Sequence, residues 1–235
     1  MNQTGGMTER IQTLLAASWL AVLGLTGCAT AAAPLPPEDP APIQRMAESG
    51  TALDRPYRIV FRWSYQEAGT RVSGQGVARI EPPFKARLDL FASNGERLAA
   101  AALMDDELRL APGLDGITLP PVPMLWGALG VFRPGPGLYG VTATRSANDR
   151  AELRYLVREG GELRVRVRDG RMEFMERITA SGARQELRLT LSAGGERFPS
   201  DAIYRDLSAV QELRITMETV EAVEAYPLNV WDPRD

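Results

Sequence analysis

Few residues in this chain could do chemistry. The 235 residues include no histidine and one cysteine, Cys28. Without an imidazole there is no Ser-His or Cys-His nucleophile, and most zinc, copper and haem ligation is excluded. Carboxylates remain. Asp105, Asp106 and Glu107 are contiguous, a cluster that suits acid chemistry or a hard cation, but equally a solvated turn. Glu218, Glu221 and Glu224 recur every third residue and suit an exposed face. Arg164, Arg166 and Arg168 form an alternating stripe that could grip phosphate through guanidinium forks. With Glu173 expected opposite Arg166, the stripe also reads as a solvated ladder. Arginine outnumbers lysine throughout, Lys85 being the one lysine, and GC-rich coding gives the same bias. There is no phosphate loop, Gly-x-Ser-x-Gly or dinucleotide fingerprint. A net charge of −3 leaves no global basic patch for nucleic acid. These residues predict a binding protein without catalytic residues, metal or cofactor.

Cys28 is informative through its position. It follows an apolar run from Leu14 to Thr26, 13 residues long, with Arg10 ahead of it. A membrane-spanning helix needs about 20 residues, whereas a secretory h-region is this short. Leu25-Thr26-Gly27-Cys28 resembles a bacterial lipobox, which implies cleavage before Cys28 and lipidation of its sulfur and new amine. Residues 1–27 are then a signal peptide. Residues 28–50, rich in alanine and with prolines at 34, 36, 37, 40 and 42, read as a tether. With Cys28 lipidated there is no cysteine pair, so no intrachain disulfide is expected. Residues 51–235 suffice for one well-buried domain.

Period-two alternation dominates that domain. It is clear over 57–65, 71–81, 85–92, 97–104, 107–110, 151–158, 163–168, 171–178, 185–191, 202–207 and 213–220, with turns at Asn94-Gly95 and Asp169-Gly170. In the second hairpin, Val165 is expected to face Phe174. Pro120 to Phe132 places Met124, Leu125, Ala128, Leu129 and Phe132 on one helical face, started by prolines and stopped by Pro134-Gly135. A second short helix is expected over 43–54. The fold class is mainly β with few helices: a curled antiparallel sheet of about ten strands, an open half-barrel covered by a central helix. Trp63, Leu88, Leu90, Met104, Met124, Leu125, Leu129, Phe132 and Met217 are placed on inner faces, where they could line an apolar cavity. Close packing needs the same residue types, so both readings stand until a cavity volume decides between them.

Three stretches carry a family likeness: LDLFASNGERLAAAALMDDELRL (88–110), LPPVPMLWGALGVFRP (119–134), and the tail from Phe198-Pro199 through LRITMETVEAVEAYPLNVWDP. Behind a lipobox and in this order they resemble the outer-membrane lipoprotein receptors of the LolB type and the related DUF4292-type lipoproteins. The resemblance implies a half-open barrel with an apolar cavity for acyl chains of lipids or lipoproteins. It also implies a soluble periplasmic carrier as partner, and a lipid anchor on the periplasmic face of the outer membrane; Ala29 after Cys28 is compatible with that destination. LolB-like proteins carry a membrane-entering leucine in the turn equivalent to Ser93-Asn94-Gly95. Here that position is Asn94, the membrane-turn candidate, and an amide is no apolar wedge. The alternative is a non-catalytic assembly lipoprotein that uses an outer face or the tail from Tyr226 to Asp235.

Overall fold

A computed structural model describes residues 36–113, 119–146, 150–192 and 194–234. Cys28 and residues 1–27, the expected signal peptide, lie outside these residues. In chain order the elements are β1 (Pro37–Glu38), α1 (Pro40–Thr51), β2 (Tyr57–Glu67), β3 (Thr70–Glu81), β4 (Lys85–Ala92), β5 (Arg97–Met104), β6 (Glu107–Leu110), α2 (Val122–Ala128), β7 (Leu138–Arg145), β8 (Arg150–Val157), β9 (Gly161–Arg168), β10 (Arg171–Thr179), β11 (Arg184–Leu191), β12 (Pro199–Asp206), β13 (Gln211–Ala222) and a 3-10 turn (Leu228–Trp231).

All strands join one antiparallel sheet of 13, ordered β1-β7-β8-β9-β10-β11-β12-β13-β2-β3-β4-β5-β6. Two meanders, β2–β6 and β7–β13, are spliced where the last strand pairs with β2. The sheet does not close, and its edge strands are its shortest, β1 with two residues and β6 with four. It is strongly curled. Gly127 of α2 approaches Met175 on β10 and Leu187 on β11 so closely that a Cβ there would lie 2.6 and 2.7 Å from their side chains. The neighbouring Trp126 donates its indole N–H to the carbonyl of Asp105, just past β5, at 2.8 Å. β10 and β5 stand seven strands apart, about 34 Å if the sheet were flat. A single turn of helix touches both only because the sheet wraps round it.

The curled, mainly β architecture matches expectation, but the count of about ten is corrected to 13. β7 was missed because its alternation is broken: the pairing with β8 shifts between Tyr139 and Thr142, around Gly140 at φ +55°. β1 is too short to show a period. The β9–β10 register is also corrected. Glu173 is bulged out, so Arg166 pairs with Phe174 and Val165 with Met175. The Arg166 guanidinium stacks on the Phe174 ring at 3.9 Å.

The helix α1 begins at Pro40, inside the stretch read as a tether. Prolines 40 and 42 are tolerated because they fall in the first turn, where N–H groups lack intrahelical acceptors. Asp39 caps that turn by accepting from the Ala41 amide at 3.0 Å. Ile43, Ala47 and Thr51 then recur at i, i+4 and i+8 and are buried. The Thr51 hydroxyl accepts from the Phe132 amide at 3.0 Å, fastening α1 to the segment after α2.

Close approach of strands also constrains Gly76. Gly76 sits opposite Phe61, and a Cβ there would lie 2.3 Å from the Phe61 ring, itself 1 % exposed. Gly76→Ala is expected to cost about 1–3 kcal/mol through overpacking, read as a lower urea midpoint at unchanged slope.

Candidate functional site

The inner face of the sheet carries two apolar clusters with α2 between them. Met124, Ala128 and Phe132 pack with α1 and β7–β12, beside Leu153, Val165, Met175 and Leu187. Leu125, Trp126, Leu129 and Val131 pack with β2–β5, beside Ile59, Phe61, Ile80 and Leu103. The helix is therefore buried all round, which suits an element enclosed by a sheet. Trp126 is its anchor, fully buried, with Phe84 edge-on at 6.0 Å between ring centroids. Between α2 and β11–β13 runs a seam lined by Pro120, Met124, Leu125, Ala128, Leu187, Ala202, Tyr204, Leu213 and Ile215, with a free volume of only about 10 Å³.

Eight of the nine cavity candidates lie on this inner side. Trp63, Leu125 and Leu129 are buried in the second cluster, with Leu88, Leu90 and Met217 half-buried against it. Met124 and Phe132 belong to the first. Met104 is the exception. It pairs with Lys85, on the face that also carries Arg87, and it lines a cleft of about 410 Å³ on the outer side with Arg109, Leu228 and Trp231. Asn94 is exposed, and its Oδ1 accepts from the Glu96 amide at 3.0 Å, so its amide caps its own turn.

Partly buried apolar side chains continue the inner surface: Leu213 and Ile215, which also line the seam, with Tyr65, Met217, Leu88 and Leu90 packed against the second cluster. Tyr204, Leu213 and Ile215 were not anticipated as site residues. Their strands alternate correctly, but nothing in a strand's period says where a helix from elsewhere in the chain will lie.

Most of the charged candidates have structural partners. Asp106 holds Arg133 through two bonds, at 3.0 and 2.7 Å, and the Asp105 carbonyl takes the Trp126 indole. Glu107 binds Arg109 at 3.0 and 2.8 Å, and that guanidinium keeps its carboxyl below the ordinary value. The arginine stripe is occupied likewise: Arg164 with Glu162 and Glu176, Arg166 on Phe174, Arg168 with Glu173 at 2.8 Å. Glu218 and Glu221 pair with Arg62 and Arg58 at 2.8 and 3.2 Å.

The turn after β12 borders the seam. Asp206 accepts from the Ser208 and Ala209 amides, both at 2.9 Å, and from Gln185 Nε2 at 2.9 Å. Burial raises the Asp206 carboxyl, but these hydrogen bonds outweigh it and hold the value below the usual range. A depressed folded value means the contribution is present at neutral pH and lost as pH falls through that value. Titration of the Asp206 carboxyl by NMR is expected below 3.8, with loosening of residues 207–210 on protonation. A midpoint at or above 3.8 contradicts this.

No family model matches the sequence, and no curated protein matches it. Solved structures do. A LolA superfamily protein, NE2245 from Nitrosomonas europaea, superposes with a TM-score of 0.55 at 12 % identity, over 81 % of this chain and 96 % of that one. A domain described as a putative outer membrane lipoprotein-sorting protein from Vibrio parahaemolyticus gives 0.48 at 7 % identity, over 81 % and 95 %. A DUF1329 family protein from Desulfovibrio piger gives 0.46 at 8 %, over 83 % and 98 %. The match to NE2245, nearly complete for that protein, joins the unclosed curled sheet and its enclosed helix: the chain has the LolA/LolB-like fold.

Proposed function

We propose that the chain is a lipid-anchored protein of the bacterial envelope, facing the periplasm from the outer membrane. In this reading it binds acyl chains of lipids or lipoproteins on the inner face of its half-barrel and takes part in lipoprotein localisation or lipid transfer. The observation that carries it is the inner surface itself. Partly buried Tyr65, Leu88, Leu90, Leu213, Ile215 and Met217 pack against the core on that face, and Leu213 and Ile215 also line the apolar seam against α2. Each methylene taken from water is worth about 0.8 kcal/mol, so part of one chain suffices for useful affinity. The seam holds about 10 Å³, whereas ligand pockets occupy about 300–1,000 Å³. Binding therefore requires α2 to move away from β11–β13. Partners are the acyl chain and a soluble periplasmic carrier, with the Cys28 lipid as the membrane attachment. The role we assign is non-catalytic.

The test is native mass spectrometry of the full chain, followed by titration of the lipid-free protein with laurate while the methyl resonances of Leu213, Ile215 and Met217 are followed. One bound chain, with shifts at those methyls, is expected. A protein that emerges without lipid and takes up none overturns the reading.

One observation favours a scaffold that acts through protein contacts. The larger opening is the outer cleft of about 410 Å³ beside the C-terminal tail, where Leu228 is 86 % exposed. Under that reading Leu228→Glu removes function without altering stability. Depletion of the protein leaves other lipoproteins correctly placed, whereas acyl-chain transfer predicts their accumulation in the inner membrane.

A further inference from the structure

Three arginines stand side by side on the outer face of the sheet. Arg150 on β8 is directly opposite Arg168 on β9, and Arg168 is directly opposite Arg171 on β10. Their neighbours Ala151, Val167 and Met172 pair across the same three strands and are buried in the inner core, so the arginines point the other way. Like charges placed opposite one another disfavour strand pairing, and here two such pairs are consecutive. One carboxylate serves the row. Glu173, the bulged residue, takes Arg150 at 2.9 Å and Arg168 at 2.8 Å. Asp169, in the turn before Arg171, is exposed and pairs with none of the three.

Arg171 receives nothing. Among the described residues its guanidinium has no hydrogen-bond or ion-pair partner, and Nε and Nη2 are closed to water as well. Those two nitrogens lie along one edge of the guanidinium, the edge that grips a carboxylate or phosphate with parallel bonds. Elsewhere in this chain that edge is filled. Nε and Nη2 of Arg109 hold Glu107, and those of Arg133 hold Asp106. Buried donors left in this way call for a partner.

The chemistry of the partner follows from the count. Three guanidiniums against one carboxylate leave positive charge uncompensated across two strand spacings, about 10 Å. A carboxylate has only two oxygens, and one fork uses both. A phosphate with three free oxygens and about two negative charges accepts from the Arg171 fork and from a neighbouring guanidinium at once. Arg171 is the first residue of β10, and Arg168 and Arg150 are 40 % and 46 % exposed. Rotation of the long Arg171 side chain turns its fork out to meet an arriving anion.

We propose that Arg171, with Arg168 and Arg150, forms a phosphate site on the outer face of the sheet. The site is separate from the inner seam and independent of the acyl-chain reading. Inorganic phosphate and a terminal phosphomonoester on a lipid headgroup present the same oxyanion.

The test titrates inorganic phosphate and dihexanoyl phosphatidic acid into the full chain and into Arg171→Gln. Calorimetry gives affinity, and the arginine Nε–H resonances give the place of binding. In the wild-type protein both probes are expected to shift the Arg171 Nε–H signal. Arg171→Gln is expected to bind each about tenfold more weakly or worse, as loss of charge-assisted hydrogen bonds implies. Phosphatidic acid bound tightly through Arg171, with inorganic phosphate weak, identifies a headgroup as the source; equal affinities identify free phosphate. Neither probe moving the Arg171 signal overturns the proposal, as does binding that survives unchanged in Arg171→Gln. The variant removes a charge that has no partner, so it is expected to unfold at a urea midpoint no lower than the wild type. A marked loss of stability shows that the fork serves the fold instead, and also overturns the proposal.

Discussion

Arg87→Ala is expected to cost about 3–5 kcal/mol of stability, the scale seen when one partner of a buried ion pair is removed. Arg87 is 6 % exposed and Asp89 3 %, on the outer face of β4 beneath the C-terminal 3-10 turn. The guanidinium meets both oxygens of Asp89 at 3.1 Å and also donates to the backbone carbonyls of Val230 and Asp232, at 3.0 and 2.8 Å. Alanine would leave Asp89 with Arg79, a partner that is itself part-exposed, and two carbonyls of the tail without their donor. Arg87→Lys restores a charge but cannot reach both sides of this arrangement with a planar fork, so it is expected to recover only part of the loss. Urea unfolding gives the stability. Amide exchange over residues 226–232 gives the tail, which should lose protection first. A loss below about 1 kcal/mol with the tail still protected would show that the clamp is ornamental.

Trp126→Ala has a comparable expected cost, about 3–5 kcal/mol, by removing the largest fully buried side chain. It also orphans the Asp105 carbonyl that now accepts the indole N–H. The second consequence is more diagnostic. The space vacated is walled by apolar side chains of β2–β5 and lies against a helix with almost no free volume on its other side. Apolar cavities of this kind stay dry and accept small apolar guests. Benzene is therefore expected to raise the melting temperature of Trp126→Ala in a concentration-dependent way and to leave the wild-type value unchanged, by binding linkage. A variant that loses stability but gains nothing from benzene has collapsed around the gap, and α2 is then free to shift.

Sequence periodicity carries most of this fold. The run from Tyr57 to Tyr65 alternates, and its odd-numbered members share the inner face. The helix at 120–132 was legible from its apolar spacing and flanking prolines, though only Val122–Ala128 is α-helical. Glu173 was misread because a bulge adds a residue without changing composition. Met104 was put on the wrong face for a related reason: the pairing of β4 with β5 shifts at Phe91, and the period alone does not reveal which alternate residues of β5 face inward. Asp39 and Pro40 were read as tether because proline density disfavours a packed core, whereas here the prolines open a capped helix. The site itself was half legible. Helix residues such as Met124 and Leu125 could be named from a stripe. Tyr204 could not, because its place in the seam depends on where the helix lies against the curled sheet.

The two edges of the sheet bear on how the protein survives its own surroundings. A sheet of 13 strands with apolar inner walls is a hazard in a crowded compartment, since an exposed edge offers a template for another chain to add a strand. Here one edge is two residues long and contains Pro37, which lacks an amide hydrogen, and the other is four residues long. Neither gives a neighbour a usable length of ladder. A protein can therefore keep a large curved apolar surface close to water without polymerising through its sides. Lengthening β6 by replacing its turn-side charges with β-branched residues is the change that would give this edge a usable ladder and make it a seed for fibres.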